Sequence, residues 1–256
     1  GFGEWEDEWK FGYIDKSGKF VINPRFNQAG EFHEGLARVT LDYGGKQGYI
    51  NKKGVLQIPA IYFNTTDFSQ GLAGACIGDT DSPSCGFLDE EGKWKIQPQY
   101  SEVRSFQEGF AAAAIRVSDK LKWGFIDLTG AFKIQPQFDS TGSFSDGLAS
   151  VGYHTDRETK YVSIYSWGFI NTDGVISINP EFDGDSWTGF DYMFSNSISP
   201  VGLLVGDVLR FGLIDKKGKY VVSPQYSKIG KSVNGTGPFK FVSWEPGQTI
   251  KLTKNA

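Results

Sequence analysis

Lys122-Trp123-Gly124-Phe125-Ile126-Asp127-Leu128-Thr129-Gly130-Ala131-Phe132-Lys133-Ile134-Gln135-Pro136 reads as two short strands joined by a turn. The first run is apolar, with aromatic and β-branched residues. Leu128-Thr129-Gly130 turns the chain, and Gly130 takes a positive φ at no steric cost. Ala131-Phe132-Lys133-Ile134-Gln135 alternates and returns. Pro136 removes a backbone donor and ends regular pairing. Residues 137–144 offer a looser third segment, Ser145-Asp146-Gly147 a turn, and Leu148-Ala149-Ser150-Val151-Gly152 a fourth strand.

Read outward in both directions, the chain repeats this text six times. The opening phrase recurs as Phe11-Gly12-Tyr13-Ile14-Asp15, Gln47-Gly48-Tyr49-Ile50-Asn51, Cys85-Gly86-Phe87-Leu88-Asp89, Trp167-Gly168-Phe169-Ile170-Asn171 and Phe211-Gly212-Leu213-Ile214-Asp215. The glycines stand 36, 38, 38, 44 and 44 residues apart. A second glycine follows each at a fixed offset: Gly18, Gly54, Gly92, Gly130, Gly174, Gly218. Then come Pro24, Pro59, Pro98, Pro136, Pro180 and Pro224, each trailed by an aromatic. The second unit is one residue short before Pro59, and its aromatic, Tyr62, sits one place later, which predicts a local compensation. The turn-and-strand phrase Phe32-His33-Glu34-Gly35-Leu36-Ala37 recurs at Phe68, Phe106 and Phe144, but blurs in the fifth and sixth units.

A period of this size marks one supersecondary unit that buries its apolar face only against its neighbours. No apolar stripe of period 3.6 appears, so almost no helix is expected. The fold class predicted is all-β, six units of three to four antiparallel strands in a single domain over residues 1–256, beginning near 11, 47, 85, 123, 167 and 211. The stronger expectation for their assembly is a six-bladed propeller-like ring. The alternative is an open β-solenoid or superhelix of hairpins. The ring is favoured if the stretch 237–243 adds a strand beside the first unit, because closure leaves no bare edge.

These phrases resemble the WG (KWG) repeats of bacterial proteins over about residues 11–241. The full pair survives at Trp123-Gly124 and Trp167-Gly168, while Phe11, Gln47, Cys85 and Phe211 fill the tryptophan slot elsewhere. The resemblance implies an all-β interaction or scaffolding module that is not catalytic, and it transfers no active-site pattern. The residues point the same way. Gly12, Gly48, Gly86, Gly124, Gly168 and Gly212, with Trp123 and Trp167, read as structural, since a packing residue is needed in every unit and a catalytic one only once.

Composition narrows the function further. Lys and Arg number 26 against 30 Asp and Glu, a net charge of −4, and no basic run appears, so nucleic acid is a poor partner. No apolar stretch is long enough to span a membrane. Cys76 and Cys85 bracket a predicted hairpin and are placed for a disulfide, which implies periplasm, cell surface or secretion. The alternative is a reduced pair. No metal site or cofactor is expected. His33 and His154 are far apart, and Asp79-Thr80-Asp81 and Asp183-Gly184-Asp185 lack the length and ligand count of a calcium loop.

Two connections are longer than the rest, 152–166 and 191–210, and irregular aromatics on a regular scaffold suit recognition. Tyr153, Tyr161, Tyr165, Trp187 and Tyr192 are the candidates for contact with a protein or carbohydrate partner. The competing reading makes these segments longer hairpins. A structural spacer of an envelope protein is the first alternative function. A glycoside-processing enzyme is the second, with Asp185 and Asp191 as candidate acids but no readable carboxylate pair.

Overall fold

The computed structural model describes residues 9–42, 45–79, 81–158, 163–185, 192–226, 239–243 and 251–254, the last two as backbone only. The described residues contain strands and turns and no helix. β1 (Phe11–Ile14) and β2 (Phe20–Phe26) form a two-stranded sheet. Three sheets of four strands then run in chain order: β3 (Gln28–His33), β4 (Leu36–Thr40), β5 (Gln47–Asn51) and β6 (Leu56–Tyr62); β7 (Asn64–Thr65), β8 (Ala73–Ile77), β9 (Ser84–Leu88) and β10 (Trp94–Tyr100); β11 (Glu102–Val103), β12 (Ala111–Val117), β13 (Lys120–Ile126) and β14 (Phe132–Phe138). A fourth holds β15 (Ser140–Ser145), β16 (Leu148–Glu158), β17 (Ser163–Asn171) and β18 (Ile176–Gly184). β19 (Ile198–Val205), β20 (Val208–Asp215) and β21 (Tyr220–Tyr226) make a three-stranded sheet, and β22 (Phe239–Ser243) pairs with β23 (Lys251–Lys254). The chain divides into two compact units, residues 1–116 with 128–130, and residues 117–127 with 131–256.

Sheets and sequence repeats are out of phase. The sheet β3–β6 takes its first two strands from the first sequence unit and its last two from the second. Each repeat therefore hands its second half to the next sheet, which ties neighbouring repeats by backbone hydrogen bonds. A strand does form at Phe239–Ser243, but it does not join the sheet of β1 and β2. β22 pairs with β23 instead, so no ring closure is seen among the described residues.

The first glycine of the repeat has a steric cause. In all six units one residue on the first strand opposes three on the next: Phe11↔Phe26 is followed by Tyr13↔Ile22, and Trp123↔Phe138 by Phe125↔Ile134. The two extra residues form a bulge that folds back over the glycine. A Cβ on Gly12, Gly48, Gly86, Gly124, Gly168 or Gly212 would lie within 2.6 Å of a backbone carbonyl oxygen of that bulge. The prolines sit in the bulge, on strands β2, β6, β10, β14, β18 and β21 that end their sheets, where no ladder donor is missed. The second unit is not short after all. Ala60 lies against Gly48 where Pro24 lies against Gly12, and Gln47↔Tyr62 keeps the register, so the proline has moved and nothing was deleted.

Turns are capped in two ways. The Asp or Asn that ends each opening phrase accepts the amide hydrogens of its own turn: Asp15 Oδ1 takes Ser17 N–H at 2.8 Å and Lys19 N–H at 3.1 Å, and Asn171 Oδ1 takes Asp173 and Val175 N–H. The other turn links repeats. Glu34 accepts the Gln70 and Gly71 amides at 2.8 and 2.9 Å, Gln70 Oε1 accepts the Gly109 amide, and Asp146 accepts the Ser197 amide at 2.8 Å. Both central residues of these turns have positive φ, as at Glu34 (51°) and Gly35 (90°), the two-residue turn whose twist suits hairpins. Asn196 (51°) and Ser197 (65°) are the fifth copy, which locates the phrase that blurs in the sequence.

The core is built from one repeated ring pair. Tyr13–Phe32, Tyr49–Phe68, Phe87–Phe106, Phe125–Phe144 and Phe169–Phe194 pack with centroids 4.7–4.9 Å apart. Burying each such ring is worth about 1.5–3 kcal/mol. The ring pairing adds about 0.5–1.5 kcal/mol.

Candidate recognition surface

The β15–β18 sheet differs from the first four-stranded sheet in strand length. β4 and β5 have 5 residues each, while β16 has 11 and β17 has 9. The described residues 152–158 and 163–166 are thus no loose loop. They prolong the hairpin, with Tyr153↔Ser166, His154↔Tyr165 and Glu158↔Ser163 in antiparallel register. From Ile198 to Arg210 the second long connection likewise becomes the β19–β20 hairpin, turning between Val205 and Val208.

On the prolonged hairpin Tyr165 lies between the His154 ring, 5.3 Å away, and the Trp167 indole, 6.2 Å away. Tyr153 meets Phe138 edge-on at 5.9 Å. Both tyrosines are half-buried, while His154 and Arg157 are exposed. Asp139 anchors the base. Its Oδ1 accepts from Lys122 Nζ at 2.5 Å, and its Oδ2 accepts the His154 N–H at 3.0 Å. Burial pushes the Tyr153 and Tyr165 phenols above their ordinary pKa, and the Asp139 charge adds to this. Both stay neutral hydrogen-bond donors in the physiological range.

Further out, Arg157 pairs with Asp183, whose other oxygen accepts the Leu204 N–H at 2.8 Å. Asp183 is buried, so its charge needs both partners. The Asp183 carboxylate, in a stretch that lacks the length of a calcium loop, is engaged in an ion pair. Among the described residues no group of three or more acidic, His or Cys side chains is arranged for a metal.

Of the sequence candidates, the structure brings Tyr153 and Tyr165 onto one hairpin. Tyr192 is corrected: at 1% exposure it packs against Trp167, and its hydroxyl donates to the Asp183 carbonyl at 2.6 Å, so it belongs to the core and not to a contact surface. A Cβ at Gly202 would strike that hydroxyl and carbonyl, which shows how tightly the ring is seated. Tyr161 and Trp187 lie outside the described residues, as does Asp191, one of the two candidate acids. Asp139 and Lys122 are additions that the sequence did not signal, because they reach the hairpin from the neighbouring β13–β14 segment.

The cysteines are opposite partners, Cys76↔Cys85, joined by a disulfide with Cα atoms 4.0 Å apart. No described residue is a free cysteine.

The WG containing repeat family matches residues 11–44, 48–80, 86–116, 123–152, 167–184 and 211–241, more than half of the chain. The chain is a WG-repeat protein. No curated protein sequence matches it. Solved structures similar to this WG-repeat protein include TolB from Acinetobacter baumannii, at TM-score 0.46 and 11% identity, covering 80% of this chain and 57% of that one. The tricorn protease is similar at TM-score 0.44 and 12% identity, covering 73% of this chain and 21% of that one. The WG-repeat chain therefore spans less than two thirds of either protein's length. No described helix is long and apolar enough to cross a membrane.

Proposed function

We propose that this WG-repeat protein is a structural module, a spacer of a secreted, periplasmic or cell-surface protein. One observation carries the reading: each repeated slot has a structural task. The glycine makes room for a bulge, the ring pair fills the core, and the acidic or amide side chains cap turns within and between repeats. The Cys76–Cys85 disulfide supports an oxidising compartment.

The prolonged β16–β17 hairpin favours a second reading, a contact surface for a protein or carbohydrate. Half-buried tyrosines are rigid and neutral, and they carry a donor at the rim of an apolar face, which suits sugar and protein recognition. The two readings separate in one experiment. The intact chain and its Tyr153→Ala/Tyr165→Ala variant are applied to a glycan array and to immobilised peptidoglycan. The spacer reading expects no saturable binding beyond that of the variant. Saturable binding lost in the variant would overturn it in favour of the contact surface.

A further inference from the structure

The aromatic that follows each repeat's proline is covered on its outer side in different ways. Phe182 lies between Phe169, 6.4 Å away, and Tyr220, 6.1 Å away. Tyr62 meets Trp94 edge-on at 5.8 Å, and Phe138 meets Tyr153 at 5.9 Å. Phe26 holds the same register position and has the inner neighbour, Tyr13, at 6.4 Å. At its outer side both ring positions carry leucine. Leu56 stands where Trp94 and Tyr220 stand, and Leu41 stands where Tyr153 does. The Arg25 guanidinium covers the Phe26 ring instead, 5.0 Å from its centre, and donates to the Gly54 carbonyl.

The smaller side chains leave a cleft of about 520 Å³. That is the size of a small-molecule site. Its walls are aliphatic, from Leu41, Ile50, Val55 and Leu56, and its charged groups are Arg25 and Lys53. Among the described residues neither a carboxylate nor any other side-chain hydrogen-bond acceptor lines it. None of the lining residues is on β1, and all belong to the first compact unit. The two cations are particular to this cleft. Gln99 and Gln137 stand at the register of Arg25, and Thr129 stands at the turn position of Lys53. Stacking on Phe26 and the bond to Gly54 orient the Arg25 fork, which keeps further N–H donors for a ligand. Donors without acceptors, set in aliphatic walls, suit an anionic head on an apolar body. A peptide fits less well, because its amide hydrogens would be buried there unpaired.

We infer that the cleft between β2 and the β5–β6 hairpin is a binding site for a medium-chain aliphatic carboxylate. The carboxylate lies on the Arg25 fork with Lys53 at the rim, and the chain covers Leu41, Ile50, Val55 and Leu56. The inference rests on this cleft alone and stands apart from the spacer reading and from the β16–β17 hairpin, which belongs to the other compact unit.

The test titrates the full chain with decanoate below its micelle concentration and follows the methyl resonances of Leu41, Ile50, Val55 and Leu56. Saturable shifts of these methyls are expected. Decanol, which has the chain without the charge, and acetate, which has the head without the chain, are each expected to bind at least about tenfold more weakly. Arg25→Gln installs the side chain of the equivalent positions, so the fold is kept, and it weakens decanoate binding at least about tenfold. Lys53→Thr, on an exposed turn, weakens it about two- to fivefold. Leu56→Trp fills the cleft as Trp94 does beside Tyr62, and it abolishes binding without lowering the thermal midpoint. Absence of saturable binding, decanol binding as tightly as decanoate, undiminished binding to the Leu56→Trp variant, or shifts confined to methyls outside the cleft would each overturn the inference.

Discussion

The β8–β9 and β16–β17 hairpins fill the same register position with opposite chemistry. In the first, Cys76 faces Cys85 and the two are covalently joined. In the second, Gly152 faces Trp167, and a Cβ on Gly152 would come within 3.0 Å of the indole. In the β19–β20 hairpin Gly202 faces Phe211, and in the first four-stranded sheet Thr40 faces Gln47. The tryptophan slot is therefore a matter of paired volume. At Trp167 the ring lies over a glycine, and at Cys85 the gap closes by a disulfide.

The comparison is broken most severely by emptying the ring side. Trp167 is fully buried in a cluster with Phe169, Phe182, Tyr192 and Val201. Trp167→Ala is expected to cost about 3–5 kcal/mol, read from urea unfolding of the full chain. A loss under 1 kcal/mol would mean that the indole only covers the hairpin. Next in size is the covalent side. Reducing the disulfide, or the Cys76→Ser/Cys85→Ser variant, is expected to cost about 2–3 kcal/mol, measured with and without reductant. An unchanged midpoint would show that the short hairpin is held without the bond. The sharpest form exchanges the two solutions. Gly152→Cys with Trp167→Cys places two cysteines at the register where Cys76 and Cys85 pair, so a disulfide is expected by free-thiol counting. Two persistent thiols would show that the slots are not equivalent.

Much of this was readable in advance, for a physical reason. Glycine, proline and Asp or Asn at fixed offsets act through the local backbone, so Gly124, Gly130 and Pro136 announce hairpin, turn and sheet end by themselves. The phase of the sheets was not readable. Whether β4 pairs with β3 alone or also with β5 depends on contacts between repeats, and the text of one repeat is the same in either case. Phe194 escaped because Asn196 and Ser197 replace the usual acid and glycine while keeping the same positive φ. Tyr192 misled because an aromatic in an irregular segment reads as a surface residue, and only its hydrogen bond to the Asp183 carbonyl reveals a core position. Asp139 and Lys122 carried no signal, since an ion pair across strands has no sequence period.

The smallest effect separates repeats that differ by one atom type at the turn. Asp15 accepts from the Ser17 hydroxyl and from the Lys19 and Ser17 amides, and these bonds hold its carboxyl below the ordinary carboxylate range. At Asp89 desolvation pushes upward, but the Lys93 and Glu91 amides and the Lys95 ammonium outweigh it, so its carboxyl is lowered too. The sign follows from linkage. A carboxyl whose pKa is lower in the folded chain stabilises it above the ordinary carboxylate value, and that contribution fades as pH falls through the depressed one. Asn51 and Asn171 make the same pair of turn bonds with an amide oxygen that does not titrate. On acidification below about pH 4, the Lys19 and Lys93 amide resonances are expected to shift together with their aspartates, while those of Val55 and Val175 stay in place. Asp15→Asn should abolish the Lys19 response and leave that of Lys93. If the Val55 amide moved in step with Lys19, the acid response would belong to the sheet as a whole, and the turn caps would have no separate part in it.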